Sequence, residues 1–224
     1  VRDDGGVMTS SVDLPTFTPP GLVLDVGRHR YSIDGRDLIS VTQALGEAGL
    51  VDRTQFTDDA RRRGTLVHAA IELWHERGYV DLGRDDAMAH EIAPYVNAYI
   101  NFLAESQIRI DAVEERLADP ALGCAGTLDL RGHLPTPPSI AALASVDDAI
   151  DVIDVKTGSA PAFVGWQVSG YVQMLPPHVR RRCRRWCLNL LDDATYRLIP
   201  LTKRSDETIF LAALTVACAR RGWL

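Results

Sequence analysis

The sequence predicts an α/β (α+β) fold, a β-sheet flanked by helices, and three observations carry that prediction. Helix-period and alternating apolar stretches succeed one another in the order helices, three strands, helix, two strands, helix. No internal repeat is visible and no break in composition separates two domains. The 224 residues are 46% hydrophobic and 24% charged, which is enough apolar material for one sizeable core. The expectation is a single domain over residues 22–224, preceded by a polar segment at 1–21 that is expected to be disordered.

Residues 22–33, LVLDVGRHRYSI, followed by DGRDLIS, read as a hairpin whose turn is Asp34-Gly35. SVTQALGEAG follows as a helix, with Ser40 or Thr42 as its cap and Gly49 as its stop. From Asp58 to Arg77 the period is helical, with Leu66, Ala69, Ala70, Leu73 and Trp74 on one stripe and Gly78 at the end. A further helix is predicted from about Asp86 to Ser106, kinked or restarted at Pro94. The period then shortens. Residues 109–118 and 123–134 read as paired strands joined at Asp119-Pro120, and a Pro-rich insertion leads to the buried strand IDVIDVK. Residues 162–175 form an amphipathic helix stopped by Pro176-Pro177. RWCLNLL and TYRLIPL form a hairpin around Asp192-Asp193, and a helix from Asp206 to Arg221 ends on arginines, where cations are favoured.

The net charge of −6 argues against a non-specific nucleic-acid coat protein, but a carboxylate-lined metal site would itself add acid. No charged-then-apolar signal segment opens the sequence, which sets a cytoplasmic expectation, and the most apolar long stretch, Phe210 to Ala219, is about half a membrane span. Cys124, Cys183, Cys187 and Cys218 lack tight ligand spacing and read as free thiols.

Of 24 basic residues 22 are Arg, and lysine occurs only at Lys156 and Lys203. Lys156 stands two residues after Asp154 in an apolar strand, so both side chains face one side. Asp129 in GTLDL and Glu114 in AVEERL lie on the two preceding strands. Two carboxylates can hold a hard divalent cation such as Mg²⁺ beside a phosphate, and the cation lowers the pKa of a bound water. A lysine adds a compact charge whose pKa can move when desolvated, which an arginine cannot offer. The competing reading is an exposed, salt-bridged strand face. The clusters Arg61, Arg62, Arg63 and Arg180, Arg181, Arg182, Arg184, Arg185 read first as solvated faces, with contact to a DNA backbone as the rival reading, the second cluster being placed to track phosphates.

GTLVH (64–68), VEERL (113–117), GTLDL (126–130), DVKTG (154–158) and QVSGY (167–171) occur in the order found in PD-(D/E)XK nucleases. Over residues 28–175 the chain resembles the RecB-like branch, with its phage exonucleases and Cas4-like proteins. The resemblance implies a restriction-endonuclease-like core with a four- or five-stranded mixed sheet. It implies that Asp129, Asp154 and the backbone carbonyl of Val155 bind Mg²⁺ or Mn²⁺, with His68 as an added ligand. It gives Lys156 the attacking water and Glu114 the upstream acid, with spacing favouring Glu114 over the adjacent Glu115. Gln167 and Tyr171 are placed beside the site, contacting the catalytic residues or DNA. No iron–sulfur cluster is expected, since Cys124 lies inside the core and no upstream cysteine matches. The implied activity is metal-dependent DNA hydrolysis from ends or on single strands, in recombination, repair or phage DNA processing. A recombinase or single-strand annealing protein is the implied partner. A non-catalytic binding module on the same fold, or a hydrolase of small phosphoesters, are the alternatives.

Overall fold

The computed structural model describes residues 16–51, 57–81, 87–135 and 149–223. The predicted Pro-rich insertion falls mostly outside the described residues, as do residues 1–15 and the expected helix start at Asp86.

A three-stranded meander opens the fold: β1 (Leu22–Asp25), β2 (Arg30–Ile33) and β3 (Arg36–Ser40). Asp34-Gly35 turns the second hairpin with both residues at positive φ. The earlier turn at residues 26–29 splits what the sequence predicted as one strand, because VGRH carries no Asn-Gly or Asp-Gly signal. Ser40 then caps α1 (Val41–Glu47) in a reciprocal capping box with Gln43.

Helix α2 (Asp58–Arg77) starts at the Thr57 cap, carries Asp58 and Asp59 in its first turn, and stops at left-handed Gly78. Its buried side chains are Val67, Ala70 and Ile71, while Ala69 is exposed. Leu66, Ala70 and Trp74 of the predicted stripe pack into the seam where α2 meets the sheet and α3 (Ala87–Ser106), with Val67 and Ile71 added to it and Ala69 left outside. This packing brings His68 to the flank of the stripe, half-exposed beside fully buried Val67. Helix α3 runs through Pro94 without interruption, since Tyr95, Val96, Tyr99 and Phe102 bury the turns that follow.

The remaining elements are β4 (Arg109–Asp119), β5 (Cys124–His133), β6 (Ile150–Thr157), α4 (Val164–Gln173), the short α5 (Pro177–Arg180), β7 (Cys183–Leu190), β8 (Tyr196–Pro200) and α6 (Ser205–Arg220). Together they form a mixed α/β fold around one eight-stranded sheet, wider than the four or five strands implied by the resemblance. The extra width comes from the β1–β3 meander, whose last strand pairs parallel to β5. Antiparallel β5–β6, parallel β6–β7 and antiparallel β7–β8 complete the order. Helices α2 and α3 cover one face, over Leu130, Ile153, Val155, Leu188 and Leu190. Helices α1, α4 and α6 cover the other, over Leu128, Val152 and Cys187.

Strand β5 positions the site. Strand β4 pairs along its whole length, from Cys124 to His133. Its other edge is shared: β3 takes Cys124 and Ala125, and β6 takes Leu130 to Gly132. Residues 126–129 lie between the two, where the sheet forks.

Candidate metal centre at the fork of the sheet

At the fork, backbone groups that would continue the ladder need other partners. The Val155 N–H donates to Asp129 Oδ2 at 2.6 Å, so a side chain replaces the next rung between β5 and β6. The Val155 carbonyl meets His68 Nε2 at 3.3 Å. The other ring nitrogen, Nδ1, lies 2.8 Å from Glu114 Oε1 and 3.8 Å from Asp129 Oδ1. Ligand-capable atoms of His68, Glu114 and Asp129 all lie within 4.8 Å of one another. Three elements therefore converge on one point: the middle of α2, the middle of β4, and β5 at its unpaired edge.

Leu130 opposes Ile153, so the next pair along the register is Asp129 beside Asp154. Asp154 is fully buried. Lys156 Nζ pairs with its Oδ2 at 2.5 Å, and no other group among the described residues hydrogen-bonds either oxygen. A buried carboxylate with a single partner keeps lone pairs that a further cation can take. Asp154 stands just outside the tight trio of His68, Glu114 and Asp129 and extends it toward Lys156.

The electrostatics agree with a site that demands positive charge. Burial would lower the His68 pKa, but the Asp129 charge and the Glu114 hydrogen bond outweigh it and push the imidazole up to about 9. With both nitrogens facing oxygens, protonated His68 joins Lys156 as a cation among the carboxylates. Burial raises Asp154 to about 6, against the pull of Lys156 and with the help of Asp129. Burial also raises Asp129. Lys156 is raised in turn, the charges of Asp154 and Asp129 overcoming its desolvation. The donor set of one imidazole and several carboxylate oxygens fits a first-row divalent ion such as Mn²⁺, and suits the more strictly oxygen-seeking Mg²⁺ less well.

Two residues of α4 close the floor. Gln167 donates its amide to the Tyr171 hydroxyl at 2.9 Å, and both side chains are buried. Burial, reinforced by Asp129 and Asp154, pushes Tyr171 well above its ordinary value. Its ring lies over Gly126, where a β-carbon would come within 2.8 Å of Cε1, so the glycine of GTLDL makes room for the tyrosine. A groove of about 890 Å³ leads to this floor, lined by His68, Glu114, Asp129, Lys156 and Tyr171 and, farther out, by Tyr31, Thr127 and Arg61. Tyr31 and Thr127, joined at 2.8 Å, were not singled out from the sequence. Tyr31 lies on β2 and Thr127 on β5, and β3 stands between those strands.

Of the arginine clusters, only the first lies near the carboxylates. Arg61 lines the groove, Arg62 pairs with Glu91 at 2.8 Å, and Arg63 stacks over Tyr95. The second cluster sits elsewhere. Parallel pairing sets Arg184 opposite Asp151, three residues or about 10 Å along β6 from Asp154. Arg184 is held by Asp151, Arg185 by Asp206 and Ser169, and Arg180 by Gln173 and the Leu175 carbonyl. These three serve the internal framework, while Arg181 is exposed and Arg182 accepts the Ile150 N–H on its carbonyl. Cys124, Cys187 and Cys218 are buried in the core on the α1/α4/α6 face, and Cys183 packs against it. Burial pushes Cys183 and Cys187 up to about 12, which leaves them inert as thiolates at neutral pH.

Glu114 reaches the site in an unusual way. Its φ is +49°, a left-handed conformation inside a strand, which costs of order 1–3 kcal/mol for a residue with a side chain. Glu115 turns away from His68 and Asp129 and is buried against Arg131.

No known family model matches the chain, and no curated protein sequence matches it. Among solved structures it is similar to LHK-Exo in complex with dAMP, at 11% identity and a TM-score of 0.36, covering 82% of this chain and 87% of the other. It is also similar to a second structure of LHK-Exo, an alkaline exonuclease from Laribacter hongkongensis, at 13% identity and a TM-score of 0.27, covering 83% and 92%. Likeness of that degree is too slight to carry chemistry from one chain to the other. Among the described residues no helix is long and apolar enough to cross a membrane.

Proposed function

We propose that this protein is a divalent-metal-dependent DNA nuclease that degrades DNA from ends or on single strands, with Mn²⁺ or Mg²⁺ as its cofactor. The observation that carries the reading is the fork itself. His68, Glu114 and Asp129 meet within 4.8 Å, beside a fully buried Asp154 whose one partner among the described residues is the Lys156 ammonium at 2.5 Å. A single ammonium leaves lone pairs of that carboxylate open to a metal ion.

In this reading His68, Glu114, Asp129, Asp154 and the Val155 carbonyl hold the ion. Bound there, the ion would acidify a water and offset charge on the phosphoryl oxygens. Lys156 holds its ammonium against Asp154 and toward the groove, where it orients the attacking water and faces the anionic phosphate. Tyr171, braced by Gln167, keeps the floor rigid and dry. Arg61 meets the backbone of the incoming strand at the groove's outer part. The net reaction adds water across one phosphodiester, leaving a phosphomonoester and a hydroxyl. A recombinase or annealing partner follows only from the resemblance.

The test is a digestion time course on end-labelled linear, circular and single-stranded DNA with Mn²⁺, Mg²⁺ or chelator. Linear and single-stranded substrates should be consumed in Mn²⁺ and Mg²⁺, and closed circles and chelated reactions should be spared. Cleavage that persists in purified Asp154→Ala protein, or in chelator, would overturn the assignment.

A further inference from the structure

Glu114 is the one metal-centre residue in a strained backbone conformation, and such a conformation persists only where its surroundings over-determine it. Its neighbour Glu115 supplies the restraint. Glu115 is 5% exposed and Arg131 is 3% exposed. Arg131 grips Glu115 with two nitrogens, Nε at 2.8 Å and Nη2 at 3.3 Å. The Phe17 N–H donates to Glu115 Oε1 at 2.7 Å, and the Thr16 hydroxyl donates to the same oxygen at 3.2 Å. The Phe17 ring covers the Arg131 guanidinium at 4.6 Å. Arg131 also reaches Asp111, at the irregularity of β4. Residues 16–17 lie within the segment that the sequence marked as disordered, yet they are strapped across β4 at the position following the strained residue.

We infer that Phe17, Glu115 and Arg131 are positioning residues for the metal centre: the strap fixes the β4 backbone so that Glu114 is turned toward His68 and Asp129. The inference rests on the proposed function for the identity of the ligand, but the backbone restraint stands apart from it. Without the strap, Glu114 relaxes toward ordinary strand geometry and its carboxylate leaves the trio. Loss of an outer partner of this kind typically weakens metal binding about 10–100-fold.

The experiment compares full-length wild type with Phe17→Pro, which removes the N–H donor and the ring, and with Phe17→Ala, which removes only the ring. A Glu115→Leu/Arg131→Met pair replaces the buried ions by apolar side chains and avoids an orphaned charge. Mn²⁺ affinity is read by calorimetry, and amide hydrogen exchange over residues 113–116 is read in chelator. Phe17→Pro and the double variant should bind Mn²⁺ about ten-fold more weakly with unchanged circular dichroism, and should exchange faster at 113–116. Phe17→Ala should fall between them and wild type. Unchanged affinity and unchanged exchange in Phe17→Pro would overturn the inference. Wild type that binds no Mn²⁺ would defeat the proposed function instead, and exchange at 113–116 then decides the strap by itself. A third readout needs no metal: Glu114→Gly should melt above Glu114→Ala, the reverse of the usual strand preference, because glycine accepts positive φ. The ordinary order would show that no strain is held there.

Discussion

Strand β6 carries two buried aspartates three residues apart, and their surroundings are opposite. Asp151 is fully buried and receives four donors: Arg184 Nε at 2.7 Å, Arg184 Nη2 at 2.6 Å, Trp186 Nε1 at 2.6 Å and the Leu134 N–H at 2.6 Å. Asp154 is equally buried, pairs with the Lys156 ammonium at 2.5 Å, and receives no further hydrogen bond among the described residues. Burial and charge therefore do not distinguish the two carboxylates. Their partners do: Asp151 uses its lone pairs on four donors, and Asp154 has a single ammonium among the described residues.

The comparison breaks most visibly under paired substitution. Asp154→Asn should lower DNA cleavage by roughly 10³-fold, the several kcal/mol that a metal supplies to the transition state. It should leave the melting temperature in chelator unchanged or higher. Asp151→Asn should do the reverse, costing about 3 kcal/mol of stability by disrupting a buried pair while sparing the rate per folded molecule. Equal losses of stability from both would erase the distinction.

A saturating ion should stabilise the wild type by about 2.7 kcal/mol at 100 times its dissociation constant, read as a shift in thermal midpoint. His68→Ala and Glu114→Gln should abolish the shift, and Asp151→Asn should retain it. Mn²⁺ should act at lower concentration than Mg²⁺, given the imidazole in the donor set.

A smaller effect lies in pH. Burial raises Asp154 to about 6 in the metal-free fold, above its unfolded value. Its contribution to stability is therefore fully present below about 4 and is lost as pH rises through about 6. Stability measured in chelator should carry that loss in wild type and lack it in Asp154→Asn. A pH profile identical in the two proteins would remove the electrostatic part of the argument.

The smallest expected effect separates the arginine clusters. Arg61→Ala should weaken DNA binding and reduce the salt slope by about one, while Arg181→Ala should leave both unchanged. The reverse result would move the nucleic-acid track to the far end of β6.

Much of this molecule was legible in its sequence. Thr57 and Gly78 bound α2 as their chemistry requires, and Asp34-Gly35 turns its hairpin. The alternation that sets Asp154 beside Lys156 is local and survives folding. The turn at residues 26–29 was not legible, since it lacks a marked turn pair. The α2 stripe was legible at Leu66, Ala70 and Trp74, and Ala69 fell outside it because the direction of the cover depends on α3 and the sheet. The exposed look of Arg180, Arg184 and Arg185 in sequence concealed their partners Gln173, Asp151 and Asp206, which lie 7, 33 and 21 residues away.

The sequence by itself determined the elements, the shared side of Asp154 and Lys156, and the residue types able to hold a cation, because each depends on periods of two to four residues. Only the tertiary structure decided that β5 loses its partner at 126–129, that Asp129 takes the Val155 N–H, and that Glu114 rather than Glu115 faces His68. Those facts depend on strand register and on a strap 98 residues away from Glu115 in the chain, and pairings at such range are set by packing rather than by any local pattern.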